Sequence, residues 1–437
     1  MNCIRIKPGR IKGSVKIPPS KSMAHRAIIC ASLSKGVSRI SNIDFSDDII
    51  ATIDGMRSLG AEIEIKENLL IIDGTGFLKN ISQSGNSDLS TSGSCRNTAG
   101  DISSSADNSP ITVDCNESGS TLRFLIPISI AYKNHVRFIG KGNLGKRPLN
   151  TFYDIFDRQK IEYSFKEDEL NLVINGKLQG DIFEVKGNIS SQFISGLLFT
   201  LPLLEKDSKI VITTVLESKG YIDLTLDMLN KFGIEIVNNN YREFLIRGGQ
   251  SYRPMDYKVE GDYSQAAFFF SANALGNNVD CLDLDPDSFQ GDKVCIDILE
   301  KMETELHEID ASQCPDIIPV LTVVASLSKG ETRVINGQRL RIKECDRLNA
   351  ICTELNKLGA NIVELDDGLI INGVETLKGG HVHSHKDHRI AMSLAIASTR
   401  CEEDVILEEP DCVSKSYPDF WKDFKKLGGQ VLKGGSC

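Results

Sequence analysis

The first stretch of this chain that could do chemistry is PPSKSMAHRA (residues 18–27), which places hydroxyl residues and cations at the start of an apolar run. The two prolines cannot continue a helix and the serines after them can cap one, so the stretch predicts a helix that begins here. The unpaired N–H groups at such a helix start attract anions, and Lys21, Ser22 and Arg26 would add further donors. Taken alone, the stretch fits an ordinary capped helix with solvated charges equally well.

Two further segments repeat this arrangement of small or polar residues before an apolar helix. SGSTLRF (118–124) places Gly119 near its start, and DHRIAMSLAIAS (387–398) begins with His388 and Arg389 after an aspartate. One such helix start is common in proteins, but several in one chain predict a shared anion-binding centre.

A group of charges interrupts the apolar pattern in RLRIKECDRL (339–348). Lys343 and Arg347 would share one face of a helix, with Glu344 beside them. A carboxylate among cations is a candidate for proton transfer, although the cations lower its pKa and burial raises it. Asp316, which follows a proline at the entrance to an apolar helix, is a second candidate. A surface charge run and an ordinary helix-start residue are the alternatives for these two segments.

Two motifs suggest a nucleotide or a metal ion, and both are incomplete. GKGNLGKR (140–147) has the GxxxxGK spacing of a phosphate-binding P-loop, but Arg147 stands where a Ser or Thr would hold magnesium. Arg147 is better explained as a cation directed at a carboxylate or phosphate. His381, His383 and His385 would alternate onto one face of a strand, but no supporting carboxylate marks a metal site there. A polar strand face is the simpler interpretation.

The composition is that of a globular protein without a general affinity for nucleic acid. Of 437 residues, 41% are hydrophobic and 25% are charged, and the net charge is −10, whereas a nucleic-acid binder needs a basic surface. Any basic site must therefore be local. The twelve cysteines include no CxxC pair, the N-terminus lacks a signal-peptide core and no apolar run is long enough to span a membrane. We expect a cytoplasmic monomer with reduced thiols that binds neither nucleic acid nor membranes.

A short unit of helix, glycine and strand recurs along the chain at intervals of about 70 residues. The glycine supplies a left-handed helix cap, and the β-branched run behind it predicts a strand. Six such units would fill the chain, which predicts an α/β fold built from internal repeats. The clearest copies are RSLGAEIEI (57–65), NKFGIEIV (230–237), NKLGANIVEL (356–365) and KKLGGQVL (425–432), and weaker copies are DRQKIEYSF (157–165) and KMETELHEI (301–309).

One interval between copies is too long for this pattern. It contains residues 81–110, which are rich in Ser, Gly, Asn and Asp and poor in large apolar residues. This composition predicts a flexible surface insertion. A turn-rich segment at 248–254, a little past the middle of the chain, is the predicted break between domains.

With these segments assembled, the chain resembles the 5-enolpyruvylshikimate-3-phosphate synthase family, whose members join phosphoenolpyruvate to shikimate 3-phosphate. The matching motifs occur in order from residue 18 to residue 420: PPSKSMAHRA, SGSTLRF, GKRPL, NISSQFISGLL, SKGYIDLTL, GDYSQAAFF, CPD, RIKECDRL, DHRIAMS and SKSYPDF. The resemblance implies two similar lobes, each of three repeated small α/β units, hinged around an interlobe active site. It implies a first lobe of residues 1–20 and 260–437 and a second lobe of residues 21–259.

The resemblance also implies which residues form the site. Each substrate carries a carboxylate and a phosphate, so a site for both must neutralise several anionic groups. Shikimate 3-phosphate would contact Ser22, Arg26, Ser190, Ser191, Ser218, Tyr221, Arg339 and Lys343. Phosphoenolpyruvate would contact Lys21, Gly119, Arg147, Gln192, Arg347, His388, Arg389 and Lys415. Asp316 would approach the attacking ring hydroxyl, and Glu344 with Lys21 would transfer protons.

The implied reaction is an addition followed by an elimination, in which phosphate leaves a tetrahedral intermediate. No metal or organic cofactor is implied, because arginines and lysines supply the electrostatic stabilisation. Glyphosate would occupy the phosphoenolpyruvate site, most tightly beside Gly119.

Two other functions remain as alternatives. The related transferase that acts on UDP-N-acetylglucosamine would lack the SKSMAHR and SSQF motifs and carry a reactive loop cysteine, whereas Cys115 lies just before SGS. A non-catalytic ligand or metal binder that used the histidine segment would have no need of a proton-transfer set.

Two positions depart from the family pattern. Arg339 stands where some members have Asn, and Glu117 precedes the Ser-Gly pair where many members have Asn. The contact made at position 339 would then differ in kind, and the anion geometry near Glu117 would change.

Overall fold

The structure is a computed structural model that describes residues 2–77, 109–133, 135–166, 169–302 and 307–433. The predicted insertion at 81–110 lies almost entirely outside these residues, and so does part of the weak repeat copy at 301–309. No helix in the described ranges is long and apolar enough to cross a membrane.

Helices and strands alternate along the whole described chain. The α-helices are α1 (Lys21–Ser32), α2 (Asp47–Leu59), α3 (Gly119–Tyr132), α4 (Asn150–Gln159), α5 (Ser191–Thr200), α6 (Lys219–Lys231), α7 (Tyr263–Ala274), α8 (Cys295–Met302), α9 (Ile318–Ser326), α10 (Arg347–Lys357), α11 (His388–Ser398) and α12 (Phe420–Lys426). Short 3-10 helices occur at Gly142–Lys146, Leu201–Leu203, Gly291–Val294, Gln338–Ile342 and Pro410–Lys415.

The strands are short, mostly of four or five residues. They are β1 (Cys3–Lys7), β2 (Lys12–Lys16), β3 (Val37–Ser41), β4 (Glu62–Lys66), β5 (Leu69–Asp73), β6 (Ile111–Asp114), β7 (His135–Ile139), β8 (Glu162–Phe165), β9 (Asn171–Asn175), β10 (Ile182–Val185), β11 (Ser208–Ile212), β12 (Ile236–Asn239), β13 (Glu243–Ile246), β14 (Tyr257–Lys258), β15 (Asn278–Leu282), β16 (Glu308–Asp310), β17 (Glu331–Ile335), β18 (Asn361–Leu365), β19 (Gly368–Asn372), β20 (Gly380–His383), β21 (Val405–Glu408) and β22 (Gln430–Lys433).

Within the described residues, five sheets of four strands share one topology, and β2 and β15 form a separate parallel pair. In the sheet of order β6-β7-β9-β8, the first two strands are parallel and connected through α3, and β8 and β9 form an antiparallel pair. The sheets β10-β11-β13-β12 and β16-β17-β19-β18 have the same order. In two other sheets a distant segment supplies one strand: β14 pairs with β3, and β1 lies between β21 and β22. The predicted fold of repeated small α/β units is confirmed.

The glycine signal marks the helix ends as predicted. Gly60 follows α2 with a φ of 114°, a left-handed conformation that costs glycine little. After α4 the equivalent place is taken by Lys160 with a φ of 55°. The sequence signal is weak in that copy because a lysine, rather than a glycine, adopts the left-handed conformation that ends the helix.

Two separate hydrophobic cores divide the molecule into two lobes. One core consists of residues between Met23 and Val259, and the other of residues between Ile6 and Ile17 together with residues from Ala266 to Leu427. Each core is formed by the buried faces of helices packed against its small sheets.

Most of the described cysteines agree with the prediction of reduced thiols. Cys30, Cys115, Cys295 and others are free and largely buried, where burial raises the pKa of the thiol. Cys3 is the exception, because it is disulfide-bonded, so the prediction is wrong for that residue.

Candidate active site

A cavity lies between the two lobes and is lined by residues of both. All of the residues predicted for the site line it, with the exception of Lys415. The structure also brings to the cavity six residues that the sequence analysis did not assign to it: Asp48, Ser120, Arg123, Phe124, Ile189 and Ile342. The predicted centre is therefore one continuous space.

Several capped helix starts face this cavity, as the sequence predicted. Ser20 accepts a hydrogen bond from the backbone N–H of Met23 at the start of α1, and Ser118 accepts one from the backbone N–H of Thr121 at the start of α3. Ser190 caps α5 and Asp387 caps α11 in the same way. The N-terminal ends of these helices carry partial positive charge, which adds to that of the basic side chains.

Arg347 is the central cation in one wall of the cavity, and only 2% of its side chain is exposed. Its Nε donates to Asp387 at 2.7 Å. Its Nη1 donates to Asp316 and its Nη2 to Glu344, each at 2.8 Å. One buried guanidinium thus fixes both carboxylates that were predicted to act in proton transfer.

Glu344 is buried among cations. Its Oε1 lies 3.3 Å from Nη2 of Arg147, and Oε2 accepts from Arg347. Burial works against the ionised form, but Arg147 and Arg347 outweigh it and hold the pKa of Glu344 well below its usual value. Glu344 is therefore ionised at neutral pH.

Asp316 has a similar environment on the other side of Arg347. Lys343 donates to its Oδ1 at 3.2 Å, and the Tyr221 hydroxyl donates to its Oδ2 at 3.0 Å. Burial opposes ionisation, but Lys343 and Arg347 hold the pKa of Asp316 well below its usual value. Burial in turn lowers the pKa of Lys343, which Asp316 partly offsets.

The prediction that Lys343 and Arg347 share a helical face is wrong. A 3-10 helix ends at Ile342, Lys343 has extended backbone with ψ of −151°, and α10 begins only at Arg347. The helix begins there because Asp346 accepts from the N–H of Asn349 at 3.1 Å and caps it. The charged side chains converge through a turn rather than along a helix.

Lys21 is held by a carboxylate that the sequence analysis missed. Its Nζ lies 2.7 Å from Oδ2 of Asp48, whose side chain is 8% exposed. Burial works against the ionised form of Asp48, but Lys21 and Lys415 outweigh it and lower its pKa. The acidic pair at the start of α2 is the only sequence signal for Asp48, and helix starts commonly carry such residues.

Arg123 is a cation of the cavity lining that was not assigned to the site, although it stands inside the SGSTLRF motif. Its Nη1 donates to Oε1 of Gln192 at 2.8 Å, and its guanidinium lies 5.1 Å from the ring centre of Phe193. Burial, together with the charge of Arg147, lowers the pKa of Arg123 to about 9.

Arg26 is buried, and protein oxygens occupy part of its donor capacity. Nε donates to Thr225 at 2.9 Å, and the two terminal nitrogens donate to the carbonyls of Ser22 and Tyr221 at 2.8 Å each. The guanidinium lies 5.5 Å from the ring centre of Phe124. Burial lowers the pKa of Arg26 to about 10, so it remains a cation at neutral pH.

The two positions that depart from the family pattern both contact the opposite lobe. Arg339 donates to the Ser218 hydroxyl at 2.9 Å and to Glu217 at 3.3 Å. Lys415, which lies outside the cavity lining, pairs with Glu117 at 3.0 Å. Arginine at position 339 therefore supplies an ionic contact that asparagine would not.

Gly119 lies directly against the cations of the cavity. A Cβ built on Gly119 would lie 2.7 Å from Nη1 of Arg147 and 3.1 Å from Nη1 of Arg123. It would lie 3.6 Å from Oε1 of Gln192. The missing side chain allows these groups to approach the backbone at the start of α3.

His388 and Arg389 lie at the start of α11, and both side chains are almost fully buried. Burial holds the pKa of His388 well below its usual value, and Lys21 adds to the effect, so the ring is neutral. Arg389 donates to the carbonyl of Ser264 at 2.8 Å. Within the described residues, neither Nδ1 of His388 nor Nε of Arg389 has a hydrogen-bond partner.

The histidine segment lies away from this cavity. His381 contacts Glu408 at 2.9 Å and His385 contacts Glu354 at 2.7 Å, but His385 lies beyond the end of β20 with a positive φ. Among the residues that the structure describes, no group of three or more His, Cys, Asp or Glu is arranged to hold a metal ion.

Comparison with known proteins gives one consistent result. A sequence model of EPSP synthase (3-phosphoshikimate 1-carboxyvinyltransferase) matches residues 6–93 and 69–424. A 3-phosphoshikimate 1-carboxyvinyltransferase from Clostridium perfringens is 66% identical and covers 99% of this chain and 100% of its own length. The enzyme of that name from Clostridioides difficile is 59% identical, with 99% and 98% coverage. A solved EPSP synthase structure from Acinetobacter baumannii has a TM-score of 0.76 at 23% identity, covering 99% of this chain and 100% of that one.

Proposed function

This chain belongs to the EPSP synthase family, and we propose that its interlobe cavity binds shikimate 3-phosphate and phosphoenolpyruvate for enolpyruvyl transfer. The enolpyruvyl group moves to the 5-hydroxyl of shikimate 3-phosphate and phosphate is released. This is a step of the shikimate pathway, which supplies aromatic amino acids. The observation that carries the assignment is that the cations and carboxylates of the family motifs line one cavity.

We propose that the lobes consist of residues 1–20 with 260–437 and of residues 21–259. The separation of the two hydrophobic cores supports this division, because neither core draws buried residues from the other segment. A monomeric state stays a prediction. A cytoplasmic location stays a prediction from the composition.

Shikimate 3-phosphate is assigned to the part of the cavity formed by α1, α5 and α6. Ser190 and Ser191 lie at the start of α5 and Ser218 precedes α6, so hydroxyl and backbone donors converge there. Arg26, Lys343 and Arg339 add positive charge around these donors, and Ser22 and Tyr221 complete the lining. Such a site suits a phosphate monoester and a carboxylate on a small ring.

Phosphoenolpyruvate is assigned to the part beside the start of α3. Gly119 lets an anion approach the backbone, and Gln192, Arg147 and Arg389 supply donors around it. The Nε atoms of Arg147 and Arg389 have no partner among the described residues, so both arginines have donor capacity for an anion. Lys21, His388 and Lys415 stand close to this group.

Arg347 contributes differently from the other arginines of this set. Its guanidinium already donates to Asp316, Glu344 and Asp387. We propose that Arg347 orients the two catalytic carboxylates. Its positive charge also attracts phosphoenolpyruvate.

In the proposed chemistry one carboxylate accepts a proton and the other donates one. Asp316 accepts the proton of the 5-hydroxyl as that oxygen attacks C2 of phosphoenolpyruvate. Glu344, with Lys21, delivers a proton to C3. Because Arg147 helps to hold Glu344 ionised, an anionic substrate that draws Arg147 away raises the pKa of Glu344 and favours its protonation. Glu344, ionised after it has given its proton to C3, then takes a proton back from C3, the C2–C3 double bond re-forms, and phosphate leaves the tetrahedral intermediate.

The decisive experiment mixes the protein with both substrates and measures phosphate release. Release should require shikimate 3-phosphate and phosphoenolpyruvate together, and it should survive excess chelator. UDP-N-acetylglucosamine should not replace shikimate 3-phosphate. Release with the nucleotide sugar, or none with shikimate 3-phosphate, would contradict the assignment.

A further inference from the structure

The hydroxyl of Tyr221 lies between two carboxylates of the opposite lobe. It is 3.0 Å from Oδ2 of Asp316 and 3.1 Å from Oδ2 of Asp292. Tyr221 packs against the core between Met23 and Val259, whereas Asp292 and Asp316 belong to the segment that forms the other core. The family motifs assign Asp316 and Tyr221 to the site, and they assign nothing to Asp292.

A phenol has a single proton, so Tyr221 can donate to only one of the two carboxylates at a time. The other contact then needs a proton on a carboxylate oxygen. Asp292 is suited to receive that proton during the reaction, because its Oδ2 faces the Tyr221 hydroxyl. Its Oδ1 is buried and has no partner among the described residues.

The two carboxylates differ in their neighbours. Lys343 and Arg347 donate to Asp316 and keep it ionised, whereas no lysine or arginine side chain in the described ranges donates to Asp292. Burial raises the pKa of Asp292 to about 6, and the charge of Asp316 adds to the effect. The titratable and charged groups around Asp292 are Asp316, Asp262, Arg389, Tyr221, Cys295 and Cys314.

The low pKa of Asp316 makes it a weak base, and the higher pKa of Asp292 can compensate for this. A carboxylate whose pKa is far below the working pH removes a proton inefficiently, because the protonated form is unstable. A linked carboxyl group with a higher pKa gives the proton a more stable destination. Asp292 does not line the cavity, so it can act only through Tyr221.

We propose that Asp292 is the end point of a proton relay that begins at the attacking hydroxyl and runs through Asp316 and Tyr221. The hydroxyl O–H bond breaks as its oxygen forms a bond to C2 of phosphoenolpyruvate, and the proton joins Asp316. Oδ2 of Asp316 passes a proton to the Tyr221 oxygen, and the phenol proton passes to Oδ2 of Asp292. The proton returns along the same path and leaves with phosphate.

The relay rests on the proposed role of Asp316, and it predicts how the turnover rate depends on pH. Asp292 must be ionised before each turnover in order to accept the proton. The kcat of the wild-type enzyme should therefore fall as the pH drops through the titration of Asp292. Because Tyr221 and the two carboxylates belong to different lobes, the relay is complete only when the lobes are in contact.

The test is the pH dependence of kcat, at saturating concentrations of both substrates, for the wild type, Asp292→Asn, Tyr221→Phe and Asp297→Asn. Asparagine keeps the shape but accepts no proton, so Asp292→Asn should lose at least about 10-fold in kcat at neutral pH. It should also lose the acidic limb of the profile, with little change in KM for shikimate 3-phosphate. Tyr221→Phe removes the bridging oxygen and should lose the same limb. Asp297, exposed and five residues further on, is the matched control and should behave as wild type.

A reduced kcat with an unchanged acidic limb in Asp292→Asn would indicate a structural role and would overturn the relay. Wild-type kcat in that variant would overturn it too. If Asp292→Asn does not fold, the Tyr221→Phe profile decides, since a retained limb excludes a relay through the phenol. Failure of the proposed function is distinct, because the wild type itself would then release no phosphate from the two substrates.

Discussion

Arg147 and Glu344 form an ion pair of 3.3 Å between Nη2 and Oε1, and the two residues belong to opposite lobes. Both side chains are almost fully buried, at 9% and 13% exposure. The pair therefore links the contact between the lobes to the ionisation of Glu344, because separation of the lobes would remove Arg147 from the carboxylate and leave Arg347 as its paired cation. A substrate anion that competes for Arg147 has the same electrostatic effect on Glu344.

Glu344→Gln should lower kcat by about 100-fold or more and leave the KM of both substrates within a few fold of wild type. The amide keeps the size and hydrogen-bonding reach of the side chain but cannot transfer a proton. Steady-state phosphate release measures both constants. Glu375→Gln, at an exposed position, is the control. Near-normal turnover in Glu344→Gln would remove this residue from proton transfer.

Arg26→Ala should weaken shikimate 3-phosphate binding by about 1.5 to 3 kcal/mol, the usual worth of a charged hydrogen bond. The variant also removes the hydrogen bonds that Arg26 donates to the Thr225 hydroxyl and the Tyr221 carbonyl, which connect α1 to the first half of α6. Titration calorimetry with shikimate 3-phosphate gives the affinity, and the exposed Arg39→Ala is the control. Wild-type affinity in Arg26→Ala would show that Arg26 is only a structural link between α1 and α6.

Asp292→Asn should change the pH dependence of stability. The pKa of Asp292 is about 6 in the folded protein and about 3.9 in an unfolded chain. The folded state therefore binds the proton more tightly, and the free energy of unfolding falls as pH rises through this window. Asparagine does not titrate, so the variant should gain stability relative to wild type between pH 4.5 and pH 7.5. Urea unfolding of both proteins at the two pH values measures this difference. If the free energy of unfolding changes equally with pH in the wild type and in Asp292→Asn, the raised pKa of Asp292 is contradicted.

The sequence predicted the local signals of this fold well. Helix starts at Ser20 and Ser118 and the glycine after α2 follow from capping and backbone preferences, which act within a few residues. The six repeats followed from the same signals at regular spacing. The family motifs then identified most of the cavity lining, because each motif places its polar residues at a helix start or a turn.

The sequence did not show contacts made between distant segments. Asp48 and Asp292 look like ordinary acidic residues near helix starts, and only the packed structure places them beside Lys21 and Tyr221. The charges of Lys343 and Arg347 were predicted on a helix, although a cap at Asp346 separates them. Convergence of charges in a buried site depends on tertiary packing, which local spacing does not encode.

The last prediction concerns Gly119 and glyphosate, which by family resemblance competes with phosphoenolpyruvate. Gly119→Ala places a Cβ 2.7 Å from Nη1 of Arg147 and 3.1 Å from Nη1 of Arg123, so the ends of both side chains must shift into the cavity. The narrower space should exclude the longer inhibitor more than the substrate.

The glyphosate inhibition constant should therefore rise by about 10-fold or more in Gly119→Ala, while KM for phosphoenolpyruvate rises less. Gly9→Ala is a suitable control, since a Cβ there meets nothing within 4 Å. Steady-state inhibition with varied phosphoenolpyruvate gives both constants and should show competition in the wild type. Equal glyphosate constants in wild type and Gly119→Ala would mean that the inhibitor does not bind against the start of α3.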